Sequence, residues 1–92
     1  MKMQNPQTKS NLVNRLRRIE GQVRGVQRML EEERQCEEIV QQMTSIRSAV
    51  HGAMIQFLQE QARDCLFSPP EGGVQEQEQA MKDLITMLGK VT

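Results

Sequence analysis

The sequence predicts an all-α protein with three helices per chain, and three observations favour helices over strands. Only two of the 92 residues are aromatic, and runs of β-branched residues are missing, so no segment has the composition of a strand. Glu, Gln, Arg and Met, which all favour helices, are frequent. Apolar residues recur at spacings of three and four, the period of an amphipathic helix. A chain this short forms a single small domain, and a second copy of it is a ready source of additional buried surface.

The N-terminal segment divides into an arm and the first helix. Residues 1–8 are polar and contain a proline, so we expect a flexible arm there and a single helical domain over residues 9–92. Ser10 can cap the first helix. The helix should end near Glu32 or Glu33, where its apolar stripe breaks off. The residues of that stripe are Leu12, Leu16, Ile19, Val23, Val26 and Leu30.

The second helix is the longest predicted element, from about Arg34 to Leu66. Its apolar residues form two series with a spacing of seven, 36-43-50-57 and 39-46-53, as in helices that pack side by side in a bundle. A loop rich in proline and glycine follows over residues 68–73, and a third helix is expected over about 74–90. Three helices of these lengths leave the stripe of the second helix uncovered, which predicts a partner chain.

The two cysteines, Cys36 and Cys65, lie near opposite ends of the second helix. They are 29 residues apart, so an unbroken helix separates them by roughly 43 Å but turns them to within about 20° of the same face. If two copies of this helix pack antiparallel, Cys36 of one chain meets Cys65 of the other, and a two-fold axis produces two such pairs. A single cysteine on an apolar face is most often part of the core. For two cysteines in this arrangement, a functional site and simple core packing carry equal weight. Such a site would be either a metal site or a redox switch.

The two thiols are expected to differ in reactivity. The helix dipole favours a thiolate at Cys36, in the first turn, and disfavours one at Cys65, near the C-terminal end. Arg34 and Arg63 add positive charge, while several glutamates near Cys36 oppose it. Our hypothesis is that Cys36 is the attacking thiolate and Cys65 the resolving partner. A comparison of the alkylation rates of Cys36→Ala and Cys65→Ala proteins tests this assignment.

Charge is distributed unevenly, although the formal net charge is zero. Residues 1–30 contain seven basic residues and one glutamate, while residues 31–92 contain five basic and eleven acidic residues. Most arginine-rich helices are simply solvated, but a basic segment on a neutral chain also suggests contact with a polyanion, mainly through phosphates. No helix-turn-helix spacing or zinc-finger pattern is visible. Three arginines share one flank of the first helix beside Gly21 and Gly25, namely Arg17, Arg24 and Arg28.

Residues 14–36, NRLRRIEGQVRGVQRMLEEERQC, resemble the copper-sensing operon repressor (CsoR) family, and the similarity continues through EIVQQMTSIRSAV at 38–50 and the cysteine at 65. It covers about residues 8–90. The resemblance implies an antiparallel helical-bundle dimer that assembles into a flat homotetramer. It also implies a transcriptional repressor that binds double-stranded operator DNA through basic residues and releases it when an inducer occupies the dimer interface. The candidate DNA-binding residues are Arg15, Arg17, Arg18 and Arg47.

Gln61 distinguishes this chain from the copper sensors that it resembles. Those proteins use a Cys-His-Cys set with the histidine four residues before the second cysteine, and this position is Gln61 here. The single histidine of the chain, His51, is expected to be a partly exposed helix residue rather than a ligand. Soft Cu(I) prefers thiolate and imidazole ligands, and a carboxamide is a poor substitute. The residue set therefore resembles the persulfide- and polysulfide-sensing subgroup (CstR-like), which implies no metal cofactor.

In that subgroup the cysteine pair becomes bridged by sulfur. The resemblance implies that the Cys36 thiolate takes up sulfur from a persulfide or polysulfide, and that Cys65 of the partner subunit attacks it to give a di-, tri- or tetrasulfide. A simple disulfide requires Cα atoms within roughly 4.4–6.8 Å, whereas additional sulfur atoms can span a wider gap. The bridged dimer is expected to bind operator DNA more weakly.

Two alternatives remain open on the sequence. One is a Cu(I)-sensing repressor that uses Cys36 and Cys65 as thiolate ligands. The other is a helical oligomeric adaptor without DNA binding. An enzyme is not expected, because no acid–base pair, Ser-His constellation or phosphate-binding loop is visible. No apolar run is long enough to span a membrane and no signal peptide is recognisable, so we expect a cytoplasmic protein.

Overall fold

The computed structural model describes residues 5–67 and 72–91 of the chain. Within these ranges it contains three α-helices and no strand: α1 spans Pro6–Glu31, α2 spans Cys36–Phe67 and α3 spans Val74–Val91. The predicted all-α class with three helices is thereby confirmed. The antiparallel dimer and the flat tetramer concern contacts between subunits and stay predictions for this chain. None of the described helices is long and apolar enough to cross a membrane.

The first helix begins at Pro6, so the predicted start near Ser10 is wrong by four residues. Asn5 is the N-cap: its side-chain oxygen accepts hydrogen bonds from the backbone N–H groups of Gln7 at 2.8 Å and Thr8 at 3.4 Å. Proline suits the first helical position because its missing N–H is not needed there. Residues 6–8 of the predicted arm therefore belong to the helix, and residues 1–4 of it lie outside the described part.

The turn between α1 and α2 determines where α1 ends and where α2 begins. The backbone N–H of Glu33 donates to the backbone oxygen of Leu30 at 3.2 Å, and that of Arg34 donates to the backbone oxygen of Met29 at 3.0 Å. This pair of hydrogen bonds defines a Schellman motif. Glu33 has a φ of 56°, the left-handed conformation that this motif requires. The end of α1 near Glu32 is confirmed. Because the motif uses Arg34, α2 starts at Cys36, two residues later than predicted.

Helices α1 and α2 form an antiparallel hairpin. At its far end the Asn5 side-chain amide donates to Asp64 at 3.1 Å, and the Thr8 hydroxyl donates to the other oxygen of the same carboxylate at 3.5 Å. Thr8 is only 4% exposed, so this polar contact is largely withdrawn from water. The start of α1 is thus fastened to the C-terminal end of α2, the end that carries Cys65.

The third helix covers the C-terminal part of α2. Leu84 is 2% exposed and packs with Leu58 and Cys65, which are 5% and 7% exposed. Partly buried hydrophobic residues of both helices surround this cluster. Most of the predicted loop at 68–73 lies outside the described residues, but Gly73 has a φ of 82°, a conformation that glycine adopts without strain.

The N-terminal part of α2 has no such cover in the protomer. Val40 and Met43 are apolar residues of this part and are 60% and 55% exposed. Clustered apolar surface of this kind marks a protein–protein contact. These exposed side chains are available to a partner chain, whose presence remains a prediction.

Candidate functional site

The two cysteines are free thiols at opposite ends of one uninterrupted helix. Cys36 is the first residue of α2, and Cys65 lies two residues before its end. Continuity of this helix, one of the two conditions for the predicted pairing, is met. At 1.5 Å per residue the helix separates the two residues by roughly 43 Å, so they do not meet within a protomer. The second condition, an antiparallel partner, remains a prediction.

Cys36 is exposed and lies beside a small network of charges. The Arg34 guanidinium contacts Glu38 at 2.8 Å and Glu32 at 3.5 Å. The hydrogen bond to Glu38, together with its negative charge, raises the pKa of Arg34 above its usual value. The positive charge that the sequence places near Cys36 is therefore engaged by carboxylates. Nothing in these contacts restricts the approach of a reagent to the Cys36 sulfur.

Cys65, in contrast, is held by α3. Its thiol donates to the backbone oxygen of Gln77 at 3.7 Å, and the Gln77 side-chain amide donates back to the backbone oxygen of Cys65 at 2.9 Å. Sequence reasoning missed Gln77. It lies in the segment QEQEQ at 75–79, where nothing local distinguishes it from the neighbouring glutamines.

Gln61 lies one helical turn before Cys65 and is 6% exposed. Its side-chain nitrogen is fully buried and has no hydrogen-bond partner among the described residues. An unsatisfied buried donor costs about 1–3 kcal/mol, so this amide favours an acceptor supplied from outside the protomer. Around Cys65 the protomer thus presents a thiol and a buried N–H donor rather than a thiol and an imidazole.

The donor set does not fit a three-coordinate site for a soft metal. No group of three or more His, Cys, Asp or Glu side chains converges anywhere in the described ranges. His51 is exposed in the middle of α2, about four turns from either cysteine. Cu(I) binds thiolates and imidazoles well and carboxamides poorly. The residues fit at most a site of two thiolates, Cys36 and Cys65, from different subunits.

The candidate DNA-binding arginines differ in exposure. Arg17, Arg18 and Arg47 are exposed, whereas Arg15 is half-buried and lines a shallow depression between α1 and α2 with Leu12, Phe57 and Glu60. Arg15 therefore uses part of its side chain for packing. The three exposed arginines are free to reach a phosphate backbone, and their contact with DNA remains a prediction.

Comparison with known protein families assigns this arrangement to a known type. A family model described as "Metal-sensitive transcriptional repressor" matches residues 8–90. The copper-sensing transcriptional repressor CsoR of Bacillus subtilis is 36% identical over 84 residues, which span 91% of this chain and 81% of the relative. The copper-sensing transcriptional repressor RicR of Mycobacterium tuberculosis is 40% identical over 68 residues, 73% of this chain and 71% of the relative.

Solved structures have the same fold. The crystal structure of the copper-sensing repressor CsoR with Cu(I) from Geobacillus thermodenitrificans superimposes with a TM-score of 0.77 at 33% identity, covering 98% of this chain and 92% of that one. The nickel-responsive transcriptional regulator InrS superimposes with a TM-score of 0.71 at 31% identity, covering 100% and 98%. The three-helix arrangement is thus shared by proteins whose inducing metals differ.

Proposed function

This chain belongs to the CsoR family of metal-sensitive transcriptional repressors, and on this premise we propose that it releases operator DNA when reactive sulfur bridges Cys36 and Cys65 of paired subunits. As a member of this family it is a DNA-binding, oligomeric transcriptional repressor and not an enzyme. The membership argues against an adaptor without DNA binding. One observation carries the choice of inducer: the buried carboxamide of Gln61 stands one turn before Cys65.

Gln61 favours sulfur over a metal ion because of what its side chain can do. A carboxamide cannot be deprotonated under ordinary conditions and is a weak ligand for Cu(I). It can, however, donate a hydrogen bond, and its nitrogen has no acceptor among the described residues. A persulfide carries an anionic sulfur that accepts such a bond. The site thus lacks the third soft ligand of a copper sensor and leaves two sulfurs to react with each other.

The bridging reaction needs only exchange between thiols and sulfur. The Cys36 thiolate attacks the outer sulfur of an organic persulfide, the S–S bond of that molecule breaks, and its thiolate leaves. The thiolate of the partner subunit's Cys65 then attacks the inner sulfur of the Cys36 persulfide, so that a disulfide forms and hydrosulfide leaves. If Cys65 has itself received a sulfur, its outer sulfur makes the attack and the product is a trisulfide. The persulfide is the oxidant in each step.

Bridging acts on DNA affinity by favouring one arrangement of the helices. A covalent link at both ends of an antiparallel dimer fixes the two copies of α2, and through them the basic surface of α1. An allosteric coupling of about 1–3 kcal/mol would weaken operator affinity by roughly 5–150-fold. The exposed side chains of Arg17 and Arg18 on α1 and of Arg47 on α2 are proposed as phosphate contacts, with Arg15 in a supporting position on α1.

Mass spectrometry after polysulfide treatment tests the inducer. The unmodified protein is expected to yield an interchain Cys36–Cys65 disulfide and a trisulfide that is heavier by one sulfur atom, and to lose operator binding in a fluorescence anisotropy assay. Cys36→Ala and Cys65→Ala proteins are the controls, because each lacks one end of the bridge and should stay on DNA. If polysulfide causes no mass change at either cysteine of the unmodified protein, the proposed sulfur sensing is wrong.

Salt dependence tests the DNA contacts separately. A repressor that neutralises about six to ten phosphates loses roughly 10³–10⁵ in affinity when salt rises from about 50 to 200 mM. Arg17→Ala should reduce the slope of log affinity against log salt by about 1 for each phosphate contact that is lost. Arg63→Ala, an exposed arginine at the other end of the hairpin, is the matched control. Equal salt slopes for Arg17→Ala and Arg63→Ala would show that Arg17 does not contact the DNA backbone.

A Cu(I) sensor is the second candidate, and relatives favour it. Both the Bacillus subtilis and the Mycobacterium tuberculosis repressors are copper-sensing. Here Cu(I) would have two thiolates, Cys36 and the partner subunit's Cys65. Competition against a Cu(I) chelator separates the candidates: tight stoichiometric binding that releases DNA supports copper, and retention of DNA at saturating Cu(I) supports sulfur.

A further inference from the structure

We propose that Gln77 is a positioning residue that latches the first turn of α3 over Cys65, and that opening of this latch sets how fast Cys65 reacts. The inference deepens the proposed function, since it concerns the thiol that completes the bridge. It assigns to α3 a role in the order of the two steps: Cys36 reacts first because it is exposed, and Cys65 follows when α3 permits.

The latch consists of two hydrogen bonds that run in opposite directions between the same two residues. Cys65 donates through its thiol and accepts through its backbone oxygen, while Gln77 accepts through its backbone oxygen and donates through its side chain. The last four backbone oxygens of a helix have no partner within it, and the backbone oxygen of Cys65 is one of these at the end of α2. The Gln77 side chain therefore caps α2 and at the same time fixes α3 beside the sulfur.

The first turn of α3 depends on this residue for its attachment. Val74 is 77% exposed, and Gln75 and Glu76 are also exposed, so they contribute little packing. Deep packing of α3 begins further along and centres on Leu84. Segments with few buried contacts open locally at lower free energy than the core does. The latch can accordingly open without detachment of the whole helix.

The chemical state of Cys65 is coupled to the latch through its proton. Only the protonated thiol can donate to the Gln77 oxygen, because a thiolate or a bridged sulfur has no hydrogen to give. In either of those states the sulfur presents lone pairs to a carbonyl oxygen, and one of the two hydrogen bonds is lost. Reaction at Cys65 should therefore loosen residues 74–78, and opening of these residues should in turn assist the reaction.

Alkylation of Cys65 in the full-length oligomer tests the latch directly. In a Cys36→Ala background Cys65 is the only thiol, and Gln77→Ala is expected to raise its second-order alkylation rate about fivefold, the factor typical of one lost hydrogen bond. Gln79→Ala is the matched control: the residue has the same type and helix, but its side chain bonds Asp83 on the exposed face at 3.1 Å. Gln79→Ala should leave the rate unchanged.

Three further measurements separate a latch from general loosening. Gln77→Glu keeps the side-chain length but removes the donor, so it should accelerate alkylation as Gln77→Ala does. Amide hydrogen exchange should increase at residues 74–78 and stay constant at residues 80–91. In protein with both cysteines, the Cys36 persulfide intermediate should be shorter-lived in Gln77→Ala than in Gln79→Ala.

Three results would overturn the latch: equal alkylation rates in Gln77→Ala and Gln79→Ala, no acceleration in Gln77→Glu, or exchange that rises along the whole of α3. These results are independent of the inducer, because alkylation needs no persulfide. If polysulfide leaves the unmodified protein unchanged while Gln77→Ala still exposes Cys65, the proposed function fails and the latch stands. If bridging occurs but Gln77→Ala changes neither the alkylation rate of Cys65 nor the lifetime of the Cys36 persulfide, the latch fails and the proposed function stands.

Discussion

The two ends of α2 have opposite characters, although each carries one cysteine. At the Cys36 end the thiol is exposed and the nearby apolar side chains, such as Val40, lie open. At the Cys65 end α3 covers the sulfur, and the N-terminus of α1 is tied to Asp64. The protomer therefore completes its own core at only one end of this helix. The difference fits the proposed reaction, in which Cys36 meets the reagent first and Cys65 reacts once α3 uncovers it.

This asymmetry also bears on how two copies would fit. An antiparallel arrangement would set the Cys36 end of one α2, the open end, against the Cys65 end of the other, the covered end. In the proposed dimer, the exposed Val40 and Met43 would gain cover, and the side-chain nitrogen of Gln61 would come close to the partner subunit. A parallel arrangement would place the two open ends together and leave Cys36 about 43 Å from the partner subunit's Cys65.

The largest effect is expected from Leu84→Ala at the covered end. Leu84 is 2% exposed, and truncation of such a leucine costs about 2–5 kcal/mol of stability, because a cavity forms under α3. Ile85→Ala is the matched control, since Ile85 is 66% exposed and surface changes usually stay within roughly 0.5 kcal/mol. Urea unfolding at one fixed protein concentration measures both, because oligomer stability depends on concentration.

The reverse order of these two variants would break the comparison. If Ile85→Ala were the more damaging change, the exposed side of α3 would be an interface between subunits. The covered end would then owe its stability to the assembly rather than to the chain's own packing. Similar small losses in both variants would show that α3 contributes little to the fold.

Gln61→His is expected to have the next largest effect, on metal affinity. An imidazole one turn before Cys65 completes a set of two thiolates and one nitrogen, which suits Cu(I). Affinity measured by chelator competition should rise at least about tenfold, since even groups around a metal site change affinity by that factor. Gln59→His, an exposed position on the same helix, is the control and should have no effect. Equal Cu(I) affinity in Gln61→His and the unmodified protein would mean that residue 61 does not face the two thiols.

The contrast between the two ends also marks how far the sequence predicts the structure. The open end follows from periodic patterns: the apolar stripe, the long α2 and the position of Cys36 in its first turn can all be derived from spacing. The family resemblance adds the significance of Gln61. The end of α1 lies within two residues of its prediction, and the bounds of α3 lie within one.

The covered end depends on contacts that have no period. Gln77 reaches Cys65 across 12 residues and an intervening loop, and Asn5 reaches Asp64 across 59 residues. Neither pair leaves a signal in local composition, because one glutamine among several looks like surface. The start of α1 is misplaced for a related reason: two capping residues are available, Asn5 and Ser10, and the structure uses the first because Pro6 suits the next position.

Asn5→Ala should have a moderate effect at the covered end. The variant loses the N-cap of α1 as well as the hydrogen bond to Asp64, so we expect a loss of about 0.5–2 kcal/mol. Asn14→Ala, an exposed position within α1, is the control and should be neutral or slightly stabilising, because alanine favours helices. The urea midpoints of unfolding of the two variants test this prediction. An unchanged midpoint in Asn5→Ala would mean that apolar packing holds α1 to α2 without help from the Asn5–Asp64 hydrogen bond.

The smallest effect is expected at the open end, from Arg34→Gln. The Arg34 guanidinium is engaged by Glu38 at 2.8 Å and Glu32 at 3.5 Å, and exposed pairs of this kind exert weak and screened effects on their surroundings. In a Cys65→Ala background the alkylation rate of Cys36 should therefore change by less than about twofold. Glu37→Gln, which removes a charge from the same turn, is the matched control. A tenfold slower reaction in Arg34→Gln alone would mean that the arginine acts on the thiolate, and the open end would then be as closely controlled by its neighbours as the covered end is by Gln77.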